Sequence, residues 1–146
     1  MDNGHGVARQ WRRRLLKNKM LLLMLGGAIG TYLRYLVGTW FKSHPWGQVF
    51  PFGTLFINVT GSFILGLAAA LFATRLLPEH EDWFLLIGVG FCGGYTTFST
   101  FELETYNLIR DGSWGLAFAN VVGSVAAGFV GVLLAVALVG SLFPRQ

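Results

Sequence analysis

Gly88-Val89-Gly90-Phe91-Cys92-Gly93-Gly94-Tyr95-Thr96-Thr97-Phe98-Ser99-Thr100-Phe101 places four glycines and four serine or threonine hydroxyls within fourteen positions of an apolar stretch. A continuous helix is a poor fit to that pattern. A glycine pair ends a helix through left-handed backbone angles, and a following threonine caps the start of another. Two half-helices meeting near Gly93 to Thr97 are therefore expected. The first half would end in carbonyls suited to a small cation, and the second would begin with N–H groups suited to an anion.

The rest of the chain explains where such a break would lie. Of its 146 residues, 53% are hydrophobic and only 12% charged, with a mean hydropathy of +0.56. That balance is too apolar for an ordinary soluble domain. Residues 20–41, 52–74, 83–109 and 113–143 are each as long as the ~20 residues a spanning helix needs. Lipid offers backbone groups no partner, and no period-two alternation suggests a barrel, so the expected fold is all-α with four transmembrane helices. The connections are too short for a second domain, which leaves one channel-sized bundle over 20–143 behind a basic, disordered N-terminal arm over 1–19. A break at membrane depth persists only where protein or a water-filled path satisfies the freed backbone groups. Such a break usually marks an ion site.

The arm carries Arg9, Arg12, Arg13, Arg14, Lys17 and Lys19 and accounts for much of the +4 net charge. Directly before an apolar span, it reads as the cytoplasmic flank of a membrane protein rather than as a nucleic-acid contact. With Arg75 and Arg145 on the same side, eight basic residues face Lys42 and Arg110, so both termini are expected in the cytoplasm. The twin arginines do not make an export signal, because three further spans follow. The lone Cys92 can form no intrachain disulfide and reads as a packing residue.

Several polar side chains lie within the spans. Phe98 and Phe101 share a helical face three residues apart, beside Thr97, Ser99 and Thr100. Their electropositive ring edges can touch a small anion while the hydroxyls donate hydrogen bonds. Asn58 sits about four residues inside the second span, where its amide suits either an anion or a neighbouring helix. Asn120, Ser124 and Gly128 recur every four residues and place a polar stripe on one face of the last span. Arg34 is the only basic residue inside the first span and is either a functional charge or a snorkelling anchor. Glu102 and Glu104 lie nearer the aqueous end of the third span. No histidine or second acidic cluster accompanies them, which argues against an enzyme.

These segments carry a resemblance. Gly26-Gly27-Ala28-Ile29-Gly30 leading to Arg34-Tyr35, then Gly53-Thr54-Leu55 with Asn58 and Gly61, then Gly90 to Phe101, resemble in order the signature segments of the Fluc (CrcB) family of fluoride channels. The resemblance implies passive fluoride export across the cell inner membrane by a dimer of antiparallel subunits, with a structural sodium ion at the dimer centre. It places that sodium at the backbone carbonyls of Gly93 and Thr96. Phe98 and Phe101 become the pore phenylalanines, Asn58 a pore-side donor, Arg34 a basic position of the first helix and Glu104 a vestibule acid.

Two departures accompany the resemblance. Asn120 stands where similar proteins often carry a tyrosine, and Gly128 where a hydroxyl continues the polar track. The eight-to-two basic bias also favours one orientation, whereas an antiparallel homodimer needs both. Either an oppositely inserted homologue serves as partner, or the N-terminal arginines count for less than the rule assumes. A small dimeric multidrug transporter is the main alternative, but it needs a carboxylate in the first span, where only Arg34 is charged. A glycine-packed membrane scaffold is another, and it would not require Thr96 to Phe101 as written.

Overall fold

The computed structural model describes residues 4–74 and 80–143, with side chains placed for 18–73 and 81–143. Helix α1 spans Gly4–Lys42, the short α2 Pro45–Val49, α3 Phe52–Thr74 and α4 His80–Trp83. A π-helical segment, π1, covers Phe84–Phe91 and runs into α5, Cys92–Tyr95; α6 is Phe98–Arg110 and α7 Trp114–Leu142. Among the described residues, four stretches are long and apolar enough to cross a bilayer: Asn18–Lys42, Phe52–Ala73, Glu81–Arg110 and Trp114–Leu142. Each end lies within two residues of the span read from hydropathy. Among the described residues there is no strand.

Helical backbone reaches back to Gly4, so the arm read as disordered continues the first span as helix. The side chains of Arg9 to Lys17 lie outside those placed, and Arg75 and Arg145 lie outside the described residues.

The packing is that of a chain whose solvent is hydrocarbon. Large apolar side chains such as Met24, Phe118 and Phe129 point outward, while the inside is built on small residues such as Ala117 and Ala135. Lipid tails are as apolar as leucine, so no hydrophobic effect holds one helix to another; close backbone approach does. Helix α3 packs along α7, and α1 packs along π1 and α5. At the second contact a Cβ on Gly26 would meet the Phe91 amide nitrogen at 2.8 Å, and one on Gly30 the Tyr95 nitrogen at 2.8 Å. From the other side, a Cβ on Gly94 would run into the Gly27 carbonyl.

These contacts correct one expectation. Gly93 and Gly94 do not end a helix through left-handed angles; both lie inside α5, and the only described glycine with positive φ is Gly112, at +76° in the turn before α7. The missing Cβ atoms of Gly26, Gly30 and Gly94 serve helix contact. The break comes two residues later, at Thr96 and Thr97.

The two ends of the bundle differ. At one, Lys19 and Glu81 form an ion pair at 2.9 Å between the beginning of the first span, within α1, and the start of α4. At the other, the rings of Trp40, Phe41, Trp46 and Phe52 cluster around α2, with Trp46 lying 5.3 Å from Phe41 and 5.7 Å from Phe52. Aromatic side chains of this kind favour the headgroup level of a membrane.

Candidate functional site

The third span is interrupted by two extended residues, Thr96 (φ −76°, ψ 159°) and Thr97 (φ −151°, ψ 117°). Asn58 holds them. Its Nδ2 donates to the Thr97 carbonyl at 3.0 Å, and its Oδ1 accepts from the Thr97 amide at 2.8 Å. One side-chain amide thus imitates a backbone partner for a residue that has left the helix. An unpaired buried peptide group costs about 1–3 kcal/mol, so this pairing is what makes the break tolerable at that depth.

Redirecting these amides frees particular carbonyls. In an unbroken helix the Thr97 N–H would close onto Gly93, and the Thr100 N–H onto Thr96. Here Asn58 takes the first, and the Thr97 hydroxyl oxygen, as N-cap of α6, accepts the second at 3.3 Å. Thr97 also donates its hydroxyl proton to Thr100 Oγ1 at 2.9 Å. The Thr96 carbonyl accepts instead from Arg34 Nη1 at 3.1 Å. Cation and carbonyl agree in sign with the negative end of the helix that stops at Thr96.

Two cavities flank the Asn58–Thr97 pair, and Thr97 lines both. The outer one, of about 360 Å³, is bordered by Arg34, Lys42, Thr54, Thr100 and Glu104. Glu104 Oε1 lies 3.9 Å from Lys42 Nζ, while its buried Oε2 has no hydrogen-bond partner among the described residues. The inner cavity, of about 280 Å³, is lined by Asn58, Ser62, Thr96, Phe98, Phe101, Ser124 and apolar neighbours. The rings of Phe98 and Phe101 lie 5.8 Å apart at 37°. The outer cavity carries both signs of charge. The inner one holds no ionisable side chain; its polar groups are one amide and several hydroxyls, beside two phenylalanine rings.

Comparison with known proteins bears on what this arrangement belongs to. The family model described as CrcB-like protein, Camphor Resistance (CrcB), matches residues 21–136. The chain belongs to the CrcB family. Relatives named Fluoride-specific ion channel FluC include one from Solibacter usitatus, 50% identical over 114 residues that cover 78% of this chain and 92% of the relative. Another, from Nitrobacter winogradskyi, is 51% identical over 118 residues, covering 80% and 90%. A third, from Caulobacter vibrioides, is 43% identical over 122 residues, covering 81% and 95%.

Within this CrcB-family chain the sequence candidates divide. Asn58, Thr97, Phe98, Phe101 and Ser124 meet at the inner cavity, and Arg34, Thr100 and Glu104 at the outer. Ser99 is exposed and lines neither. Asn120 lines neither cavity: it is fully buried, donating to Thr105 Oγ1 at 2.8 Å and accepting from Ser124 at 3.4 Å. The period-four stripe is real, but it faces α3 and α6 at different heights. Gly128 packs near Ser62 of α3, where a Cβ would lie 3.4 Å from Oγ.

Four polar residues were given no role by the sequence, Thr54 although it lies in a signature segment. Thr54 is buried beside the outer cavity, Ser62 lines the inner one, Thr60 bonds the Tyr95 hydroxyl at 3.1 Å, and Thr105 receives Asn120. Each threonine or serine can return its proton to its own helix, as Thr60 does to Phe56 O at 2.6 Å, so type and position alone do not single them out.

Proposed function

We propose that this chain is a passive, fluoride-selective channel of the cell inner membrane, letting fluoride leave the cytoplasm and so lowering its toxicity. The observation that carries the reading is the inner cavity: donors without a charged or basic side chain, beside a helix break that Asn58 stabilises. Fluoride is small, hard and tightly hydrated, so a path for it must replace water with closely spaced donors. Asn58 uses one Nδ2 proton on Thr97 and keeps the second. Ser62, Ser124 and the ring edges of Phe98 and Phe101 add donors that bring no competing charge. The α6 N-terminus adds partial positive charge at the same level.

The outer cavity serves as a vestibule. Arg34 and Lys42 favour entry of an anion, and Glu104 tempers their attraction so that the ion does not stay. A family relationship to proteins named as ion channels sets this reading above the multidrug transporter, the scaffold and an enzyme.

We also propose a structural sodium ion at the Gly93 and Thr96 carbonyls. The fit rests on chemistry: both carbonyls lose their helical amide partners at the break, and carbonyl oxygens suit a hard monovalent cation. One lone pair of Thr96 O is already engaged by Arg34. When bound, the ion supplies positive potential that does not titrate. Two carbonyls are a sparse set for one ion, which supports a second subunit, antiparallel to the first, contributing the same pair. That subunit is either a second copy or an oppositely inserted homologue.

The test is efflux from liposomes containing the purified protein, loaded with potassium fluoride or chloride, given the potassium carrier valinomycin to balance charge and followed with ion-selective electrodes. Rapid release of fluoride but not chloride is expected. Equal release of both would refute the reading, as would release of neither by the chain both alone and together with an oppositely inserted homologue.

A further inference from the structure

Asn120 was expected on the ion path, yet the structure buries it completely between α6 and α7, behind Ser124 rather than on the wall of the inner cavity. Its hydrogen bonds give it another task. The Ser124 hydroxyl donates to Asn120 Oδ1 at 3.4 Å, Asn120 Nδ2 donates to Thr105 Oγ1 at 2.8 Å, and the Thr105 hydroxyl donates to the Phe101 carbonyl at 2.8 Å. All three bonds point the same way, so each polarises the next. One end of the chain is Ser124 on the cavity wall; the other is the backbone of Phe101, which lines the same cavity.

We infer that Asn120 is a positioning residue, which holds the Ser124 hydroxyl at the inner cavity and ties it to the half-helix carrying Phe98 and Phe101. The inference rests on the channel reading above. A serine in a helix ordinarily returns its proton to the carbonyl four residues earlier. Asn120 offers a competing acceptor that turns the hydroxyl off the backbone. At 3.4 Å this is the longest bond of the three, beyond the usual O–H···O range, so the proton is held weakly. A fluoride ion arriving in the cavity is a stronger acceptor and takes the hydrogen bond without Ser124 changing place. Asn120 then keeps its bond to Thr105, and α6 stays in register with α7.

The inference separates action through Ser124 from plain structural support. Fluoride efflux from liposomes is measured for the wild type, Asn120→Leu, Ser124→Ala and the double variant, with chloride efflux and thermal unfolding beside each. Each single variant is expected to lose on the order of tenfold in fluoride rate, the equivalent of one hydrogen bond. The double variant is expected to be no slower than Ser124→Ala alone. Independent losses that multiply to about a hundredfold would overturn the inference, as would an unchanged rate in Asn120→Leu. Thr105→Val, which removes the acceptor for Asn120 Nδ2 and leaves that residue in place, repeats the test should Asn120→Leu not fold. Its loss is likewise expected to vanish on the Ser124→Ala background. A wild type that releases no fluoride, alone or with an oppositely inserted homologue, would refute the channel reading, and this role with it.

Discussion

Asn58 and Phe98 face the same cavity but stand in opposite relation to stability. The Asn58 amide satisfies both backbone groups of Thr97, so Asn58→Asp removes the donor to the Thr97 carbonyl and sets a carboxylate against it. The cost to folding is expected to be about 1–3 kcal/mol, measured by thermal unfolding in detergent, and fluoride efflux should fall at least a hundredfold. Phe98 is open to its surroundings in the single chain. Phe98→Ile should leave unfolding of the chain within about 0.5 kcal/mol while abolishing fluoride efflux, because an aliphatic side chain keeps bulk and loses the positive ring edge. Loss of stability in Phe98→Ile matching that in Asn58→Asp would mean that the ring serves packing.

Glycine explains the elements, and it does so differently from how the pattern first reads. Gly30→Ala and Gly94→Ala would each push a methyl group into backbone across the contact of α1 with π1 and α5. Backbone cannot step aside as a flexible side chain does, so a loss of about 1–3 kcal/mol or more is expected for each. Gly123→Ala and Gly140→Ala on α7 meet nothing within 4 Å and should be neutral or slightly stabilising. Thermal unfolding of the four variants side by side checks the contrast. The same contact shows what the sequence could disclose. The density of glycine and hydroxyls announced a break, and length and hydropathy announced four spans. The position of the break depends on Asn58, thirty-nine residues away, and no local pattern reveals which threonine a distant amide will seize. The π-helical turn of Phe84–Phe91 had no local signal either, since Phe-Leu-Leu-Ile is equally at home in an α-helix.

Across the whole molecule, an even number of spans puts both ends of the bundle's chain on one face, in keeping with the cytoplasmic termini expected from basic flanks. Accessibility labelling of tags at the two termini in intact cells should find both inside. A single inward population would mean that an oppositely inserted homologue completes the antiparallel pair, whereas two populations in similar amounts would mean that the chain pairs with itself. Fold and family were legible from the sequence because span lengths, the order of glycine motifs and the Thr-Thr-Phe-Ser-Thr-Phe segment are local features. The assignment of Asn120 was not, because period four fixes a face of α7 but not which helix covers that face at each height. Its partner Thr105 lies only fifteen residues earlier, yet across a turn at Gly112 that reverses the chain.

In the proposed function, fluoride passes through a neutral cavity passively and in preference to chloride. The most direct measurement is the reversal potential of purified protein in a planar bilayer under a tenfold fluoride gradient with chloride equal on both sides. A reversal near the fluoride equilibrium potential, about 59 mV, unchanged when a pH gradient is imposed, is the expected result. A reversal near zero, or one that moves with the pH gradient, would contradict the account.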